Sequence, residues 1–204
     1  MTEPFSNSTR LILASTSARR AQLLREAGYE FEVIVPPLHE PDEMGGDVPP
    51  HAQAEALSYF KARSVAKQGV EGLIIGADTV VTYQGEIFGK PQDLEDARRI
   101  LGRLVGTTHQ VITGLTVIDT RSQARVITHA RTNVTMRSLP DEAVENYLQS
   151  GQWKGKAGAY GIQDSGDVFI ERIDGSFTNV VGLPVELLSG LLTRISTDVA
   201  RNLS

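Results

Sequence analysis

The most constraining feature of this sequence is the alternation of short apolar runs with stretches of helical periodicity. Leu11–Ser15 and Phe31–Val35 are predicted to be short strands, and Ala18–Ala27 between them carries apolar residues on one helical face. Leu73–Tyr83 is a longer apolar run, and the Gln84-Gly85 dipeptide after it is typical of a hairpin turn. This alternation argues for an α/β or α+β architecture.

The remaining elements follow the same rules. Ser17 stands where a helix N-cap belongs, and Gly28 is a natural helix stop. Amphipathic or apolar patterns predict helices over 51–68, Asp93–Leu104, Pro140–Gln149 and Val185–Ile195, and strands over His109–Asp119, Arg125–Arg137 and Val168–Ile173. Loops are predicted over Pro36–Pro50, a candidate lid, and over Gly151–Gly161. No repeat or linker divides the sequence, so we expect one domain over residues 1–204.

Composition excludes several classes of site. There is no cysteine among the 204 residues, which excludes disulfides, a cysteine nucleophile and thiolate metal sites. The four histidines form no H-x-x-x-H pair, so a zinc site is not expected either. A metal, if bound, would be a hard cation held by carboxylates.

The net charge and the hydropathy of the sequence limit the kinds of partner that we expect for this chain. The net charge is −5 and no basic tail is present, so we expect no nucleic-acid partner. No apolar stretch approaches the roughly 20 residues that span a bilayer, and the first residues lack the pattern of a signal peptide. We therefore expect no membrane partner and a cytoplasmic location.

The turn from Ser15 to Arg20 breaks a local rule. A helix N-terminus has a positive dipole end, yet Arg19 and Arg20 stand in this first turn. A bound anion would compensate, and phosphate with hydroxyl donors such as Ser15 fits that place. A plain N-cap followed by solvated arginines explains the segment about equally well.

Asp78 is the second exception, because a buried carboxylate in an apolar strand is costly without partners. A metal, a lysine or a catalytic water would compensate, and Gly76 before it would let the backbone approach a ligand. A hydrogen-bonded structural carboxylate and a strand that breaks at Gly76 are the alternatives.

Two lysines complete the set of exceptions. Lys61 shares a predicted helix face with Leu57 and Val65, so it either extends to solvent or meets an anion. Lys156 lies in a Gly-rich loop that suits a phosphate or a moving lid. With Lys90 and the two arginines, these cations suggest a polyphosphate ligand in an acidic protein. Glu40 could add a second carboxylate, although an ordinary acidic loop explains it better from the residues alone.

These segments resemble the Maf family of nucleotide pyrophosphatases, also called septum formation inhibitors. The matching segments run in family order over about residues 10–192: Leu13-Ala-Ser-Thr-Ser-Ala-Arg-Arg20, Gly76-Ala-Asp-Thr-Val-Val81, Gly89-Lys-Pro91, Thr108-His-Gln-Val-Ile-Thr-Gly114, Lys156-Ala-Gly-Ala-Tyr-Gly-Ile-Gln163 and Val180-Val-Gly-Leu-Pro184. Ala18 departs from the proline usual at that helix start.

The resemblance implies a curved mixed sheet flanked by helices, with two lobes around a deep cleft as in inosine triphosphate pyrophosphatases. It implies hydrolysis of nucleoside triphosphates to the monophosphate and pyrophosphate with Mg²⁺ or Mn²⁺. The segment ending at Gln163 is similar to the branch that acts on dTTP and UTP. A nucleotide-binding regulator of cell division and a 7-methyl-GTP pyrophosphatase are the alternatives. Several relatives look dimeric, which makes a homodimer a candidate assembly of this chain.

The resemblance also assigns roles to residues. Asp78 matches the proton acceptor, and Glu40 matches a conserved acidic position, which reverses its interpretation as an ordinary acidic loop; both are candidate metal ligands. The phosphate-binding positions correspond to Ser15, Arg20, Lys61, Lys90 and Lys156. Base selection is linked to Arg19, Thr79 and Gln163. Lys61, Lys90, Glu40 and Asp78 form the expected catalytic group, and the others the expected substrate-binding group.

Overall fold

A computed structural model describes residues 10–37, 48–162 and 168–202, the last seven by their backbone alone. The strands are β1 Leu11–Ala14, β2 Glu32–Ile34, β3 Leu73–Tyr83, β4 Glu86–Phe88, β5 Thr108–Asp119, β6 Arg125–Met136 and β7 Ile170–Asp174. The helices are α1 Ala18–Glu26, α2 Pro50–Ala66, α3 Leu94–Leu104, α4 Asp141–Ser150, α5 Phe177–Val181 and α6 Val185–Asn202, with a short 3₁₀ turn at Ala157–Ala159.

The strands form one mixed sheet, which confirms the α/β prediction. Six of them lie in the order β2-β1-β3-β5-β6-β7, and β4 pairs with β3 beside that path. β1 runs parallel to both β2 and β3, whereas β3, β5, β6 and β7 pair antiparallel. β3 and β5 are therefore the long central strands from which the rest of the sheet extends.

Helices cover both faces of this sheet. Along β3, Leu73, Ile75 and Ala77 join the larger apolar core with buried residues of α1, α3, α4 and α6. Ile74 belongs to the smaller core beneath α2. Because successive side chains of a strand point to opposite faces, Asp78 lies on the α2 face and Thr79 on the α1 face.

Two glycines let α2 lie unusually close to the sheet. A Cβ at Gly76 would come 2.2 Å from the carbonyl oxygen of Ser58, and one at Gly114 would come 2.1 Å from that of Ala54. The helix residues that face the sheet are small, and the Ser58 hydroxyl lies 2.7 Å from that of Thr116. Gly76 thus makes room for a helix backbone, and the prediction that it serves the approach of a ligand is wrong.

The local predictions mostly hold. The Ser17 hydroxyl accepts a hydrogen bond from the Arg20 N–H, and Gly28 adopts φ 83° after α1. The short helix α5 was not predicted, and β7 begins at Ile170 rather than Val168. In the described part of the chain, no helix is both long and apolar enough to cross a membrane.

Candidate active site

The candidate site lies where one edge of β3 has no paired strand among the described residues. β1 pairs with β3 up to the Ala14–Gly76 pair, and β4 begins pairing at Val81. Between these points Asp78 has no strand neighbour on this edge among the described residues. A cavity of about 460 Å³ occupies this place. It lies beyond the carboxyl end of β1, where sheets of this kind commonly bind ligands.

The charges around the cavity are almost all positive. Among the described lining residues, six are cations and one is acidic, although the whole chain carries −5. The cations are Arg19, Arg20, Lys61, Lys90, Lys154 and Lys156, and the acidic residue is Asp78. Concentrated positive charge in a concave site attracts anions with several charges. The cavity is therefore suited to a polyphosphate.

Lys61 and Asp78 form an ion pair at the wall of the cavity. The Lys61 ammonium lies 2.5 Å from Oδ1 of Asp78, and both side chains are about nine-tenths buried. Lys61 comes from α2 and Asp78 from β3, so the close approach at Gly76 sets their separation. Lys61 thus meets an anion instead of extending to solvent.

The described carboxylates and imidazoles would bind a hard cation only with help from further ligands such as substrate phosphates and water. Within residues 10–37, 48–162 and 168–202, no three carboxylate or imidazole groups cluster in a way that could hold a metal. Asp78 offers one carboxylate beside the cavity, and its described partner contacts Oδ1. Mg²⁺ commonly takes one or two carboxylates and completes its shell with substrate phosphates and water. Asp78 fits that role.

Arg20 is fixed on the opposite wall. Its Nε donates to the carbonyl oxygen of Gly182 at 2.7 Å, and its Nη2 donates to the Thr79 hydroxyl at 3.1 Å. The Thr79 hydroxyl in turn lies 3.0 Å from that of Thr113 on β5. Ser15 is buried and accepts a hydrogen bond from the Ser17 N–H. The hydrogen bonds of Arg20 thus connect the first turn of α1 to the sheet and to the end of α5.

The Gly-rich loop closes the third wall. Lys156 is 8% exposed, and its side chain passes over Gly161, where a Cβ would lie 2.9 Å from its Cε. Arg19 Nη2 donates to the carbonyl oxygen of Gly155 at 3.2 Å, which joins α1 to this loop. Lys90 is exposed at the mouth of the cavity.

Eight of the ten predicted site residues line this single cavity: Ser15, Arg19, Arg20, Lys61, Asp78, Thr79, Lys90 and Lys156. Glu40 and Gln163 lie outside the described residues, so their places stay predictions. Sequence reasoning missed Lys154, whose position two residues before Lys156 in the same loop was the available signal. It also missed the carbonyl of Gly182 as a partner for Arg20, because no pattern reports a main-chain acceptor 162 residues away.

The comparisons with known proteins identify the family of this chain. The family model described as Maf-like protein matches residues 10–195. A dTTP/UTP pyrophosphatase of Ruminiclostridium cellulolyticum is 41% identical over 192 residues, which is 94% of this chain and 98% of that protein. One of Alkaliphilus metalliredigens is 45% identical over 90% of this chain and 94% of its own length.

Among solved structures, the Ham1 protein of Staphylococcus aureus superimposes with a TM-score of 0.42 at 10% identity, covering 62% of this chain and 71% of that one. That similarity is too low to support an inference. The family match and the relatives are sufficient by themselves, since both extend over most of the sequence. The chain belongs to the Maf family.

Proposed function

We propose that this protein is a pyrophosphatase that hydrolyses dTTP and UTP to the nucleoside monophosphate and pyrophosphate. The observation that carries the proposal is the place of Asp78, which is the one carboxylate among the described lining residues of a cavity that also has six cations. The relatives described above carry the name dTTP/UTP pyrophosphatase and match nearly the full length of this chain. Phosphoryl transfer depends mainly on positioning and on neutralising charge, and this cavity has the groups for both.

In the proposed reaction, water attacks the α-phosphorus in line with the bond to the β-phosphate. Asp78 accepts the proton of that water as the new P–O bond forms, and pyrophosphate leaves with the electrons of the broken P–O bond. Lys61 holds the carboxylate in place through the 2.5 Å contact. Lys90, Lys156 and Arg20 stabilise the negative charge of the departing pyrophosphate.

A divalent cation, Mg²⁺ or Mn²⁺, belongs to this proposal. Asp78 and Glu40 would hold it together with the phosphates of the substrate. When bound, such an ion neutralises charge on the phosphate chain and strengthens the electrophilic character of phosphorus. Asp78 would then serve both as ligand and as proton acceptor, and these two roles compete because a bound cation makes a carboxylate a weaker base.

Selection of the base is proposed to involve Gln163, Arg19 and Thr79. An amide side chain such as Gln163 offers a donor and an acceptor, which match the N–H and carbonyl of a thymine or uracil edge. A site built to pair those groups disfavours bases that leave them unpaired. The Thr79 hydroxyl already contacts Arg20 and Thr113, so a base contact there would share an existing network.

A panel of canonical and modified nucleoside triphosphates tests the function. The purified chain is incubated with each triphosphate and Mg²⁺, and pyrophosphate and orthophosphate are measured separately. We expect pyrophosphate from dTTP and UTP, little from purine nucleotides and no orthophosphate from any. Equal turnover of purines would refute the assignment of base selection, and 7-methyl-GTP as best substrate would support the enzymatic alternative.

The regulator alternative predicts nucleotide binding without turnover. Tight binding of dTTP measured by calorimetry, with no pyrophosphate released in the presence of Mg²⁺ or Mn²⁺, would support it against our proposal. A cytoplasmic location and a homodimer stay predictions, and sedimentation of the purified chain tests the second.

A further inference from the structure

We infer that His109 is a positioning residue, which acts through Tyr160 to hold the loop bearing Lys156 against the cavity. This inference rests on the proposed function, because it concerns how the polyphosphate is held. His109 lies near the start of β5 and is 2% exposed. Its Nε2 is 2.6 Å from the hydroxyl oxygen of Tyr160, and the two rings meet edge to face at 5.4 Å.

Nε2 is the ring nitrogen through which His109 makes its hydrogen bond. Nδ1 is buried and has no hydrogen-bond partner within the described residues. A neutral imidazole has one N–H and one acceptor nitrogen. Nε2 is therefore either the donor to the Tyr160 hydroxyl oxygen or the acceptor of its proton, and in both cases this contact is the described polar anchor of the ring.

Burial keeps both partners neutral. Loss of solvation lowers the pKa of His109 to about 4 and raises the pKa of Tyr160 above its usual value. At neutral pH the contact is thus a hydrogen bond between uncharged groups, with its geometry set by the protein interior.

Tyr160 in turn shapes the turn that carries Lys156. A Cβ at Gly158 would lie 3.0 Å from Cε1 of the Tyr160 ring, so the ring packs directly on that glycine. The Ala159 N–H donates to the carbonyl oxygen of Lys156, and Ala159 holds φ 61°, which is uncommon for a residue with a side chain. Such a backbone persists where its surroundings constrain it.

The same turn also touches the segment that carries Lys90. The Gly158 N–H donates to the carbonyl oxygen of Gly89 at 3.0 Å, one residue before Lys90. One buried hydrogen bond from β5 therefore supports a turn that contacts the backbone of Lys156 and of Gly89, the residue before Lys90. Loss of the hydrogen bond between His109 and Tyr160 should therefore weaken the binding of a polyphosphate without removing any charge from the cavity.

Three variants test this inference with inorganic pyrophosphate as the probe. The amide of a glutamine reaches about as far as Nε2 and can donate or accept there, whereas that of an asparagine reaches only about as far as Nδ1. We expect His109→Asn and Tyr160→Phe each to raise the pyrophosphate dissociation constant about five- to tenfold, and His109→Gln to stay within about twofold of the unmodified chain. For substrate, KM should rise more than kcat falls.

A double variant and a spectrum complete the test. His109→Asn combined with Tyr160→Phe should lose no more affinity than either change alone, because both remove the same contact. The ¹⁵N spectrum of His109 should show a neutral ring, and Tyr160→Phe should shift its Nε2 resonance. An Nε2 resonance that Tyr160→Phe leaves in place, additive losses, or equal affinity for His109→Gln and His109→Asn would overturn the inference.

These outcomes separate the inference from the proposed function. If no nucleotide is hydrolysed while the spectrum and the pyrophosphate affinities behave as expected, the proposed function fails and the role of His109 stands. If dTTP is hydrolysed but all variants bind pyrophosphate like the unmodified chain, the role of His109 fails alone.

Discussion

Replacing Gly76 by alanine should separate Lys61 from Asp78 without touching either side chain. The new Cβ would lie 2.2 Å from the Ser58 carbonyl oxygen and 2.9 Å from the Ala62 backbone nitrogen. An ordinary contact needs at least 3.4 Å, so α2 must move away from β3 by about 1 Å at the turn that carries Lys61. Backbone atoms cannot relax as a flexible side chain would.

The magnitude follows from two effects. Overpacking of this kind costs about 1–3 kcal/mol of stability, which we expect as a lower urea midpoint. A misplacement of about 1 Å in catalytic geometry costs about 100-fold in rate. We therefore expect kcat/KM for pyrophosphate release from dTTP to fall about 100-fold in Gly76→Ala, beyond any loss explained by unfolded protein.

The assay needs a matched control. Gly102 lies on the exposed side of α3, and a Cβ added there would meet no atom within 4 Å. Gly102→Ala should therefore leave activity unchanged and stabilise the protein by up to about 1 kcal/mol. Both variants are assayed at a temperature where circular dichroism shows them fully folded. Unchanged kcat/KM in folded Gly76→Ala would refute the claim that this close approach positions the ion pair.

Three other perturbations address separate parts of the structure. Burial lowers the pKa of His109 to about 4 in the folded protein, against about 6.5 in the unfolded chain. Between pH 4 and pH 6.5 the unfolded chain therefore binds more protons, and the stability of the fold must decrease as the pH falls through this range. At pH 5 the loss of stability is about 2 kcal/mol. The free energy of unfolding, measured by urea titration, should decrease less steeply with falling pH in His109→Gln than in the unmodified protein. The same dependence on pH in both proteins would contradict this prediction. Thr79→Val removes the acceptor of the Arg20 Nη2 hydrogen bond and should weaken dTTP binding about fivefold by calorimetry, with unchanged binding as the contrary result. Chelation with EDTA should abolish pyrophosphate release while the circular dichroism spectrum stays the same, and excess Mg²⁺ should restore it; turnover that persists in EDTA would refute the metal requirement.

The fold was predictable where one local pattern decides the structure. β3 begins and ends as the apolar run predicts, and its hairpin to β4 forms at Gln84-Gly85. The helical pattern over Asp93–Leu104 places Ala97, Ile100, Leu101 and Leu104 on one face, and all four are buried in α3. Periodicity determines such elements because burial of one face dominates their free energy.

Elements set by tertiary contacts were less predictable. α5 has only five residues, and it is anchored by Asn179, whose side-chain amide donates to the Val111 carbonyl and the Thr132 hydroxyl on β5 and β6. No periodicity can appear in so short a segment. The function of Gly76 was also misread, because sequence indicates that a backbone approach is possible but not which group approaches.

In the candidate site, too, local patterns were predictable and tertiary contacts were not. Asp78 and Lys61 were each conspicuous because they contradict an apolar pattern, and this conflict is visible in the sequence. That they contact each other depends on the packing of α2 on β3, which lies beyond local reasoning. Lys154 contradicts no local pattern and was therefore missed.

The most direct test of the account is the variant Asp78→Asn, which keeps the shape of the side chain and removes its charge. Pyrophosphate release from dTTP in the presence of Mg²⁺ is measured beside pyrophosphate binding by calorimetry. The account predicts a loss of kcat of at least about 100-fold with pyrophosphate still bound, because the cations of the cavity remain. Turnover near that of the unmodified protein would contradict the claim that the Asp78 carboxylate accepts the proton of the attacking water.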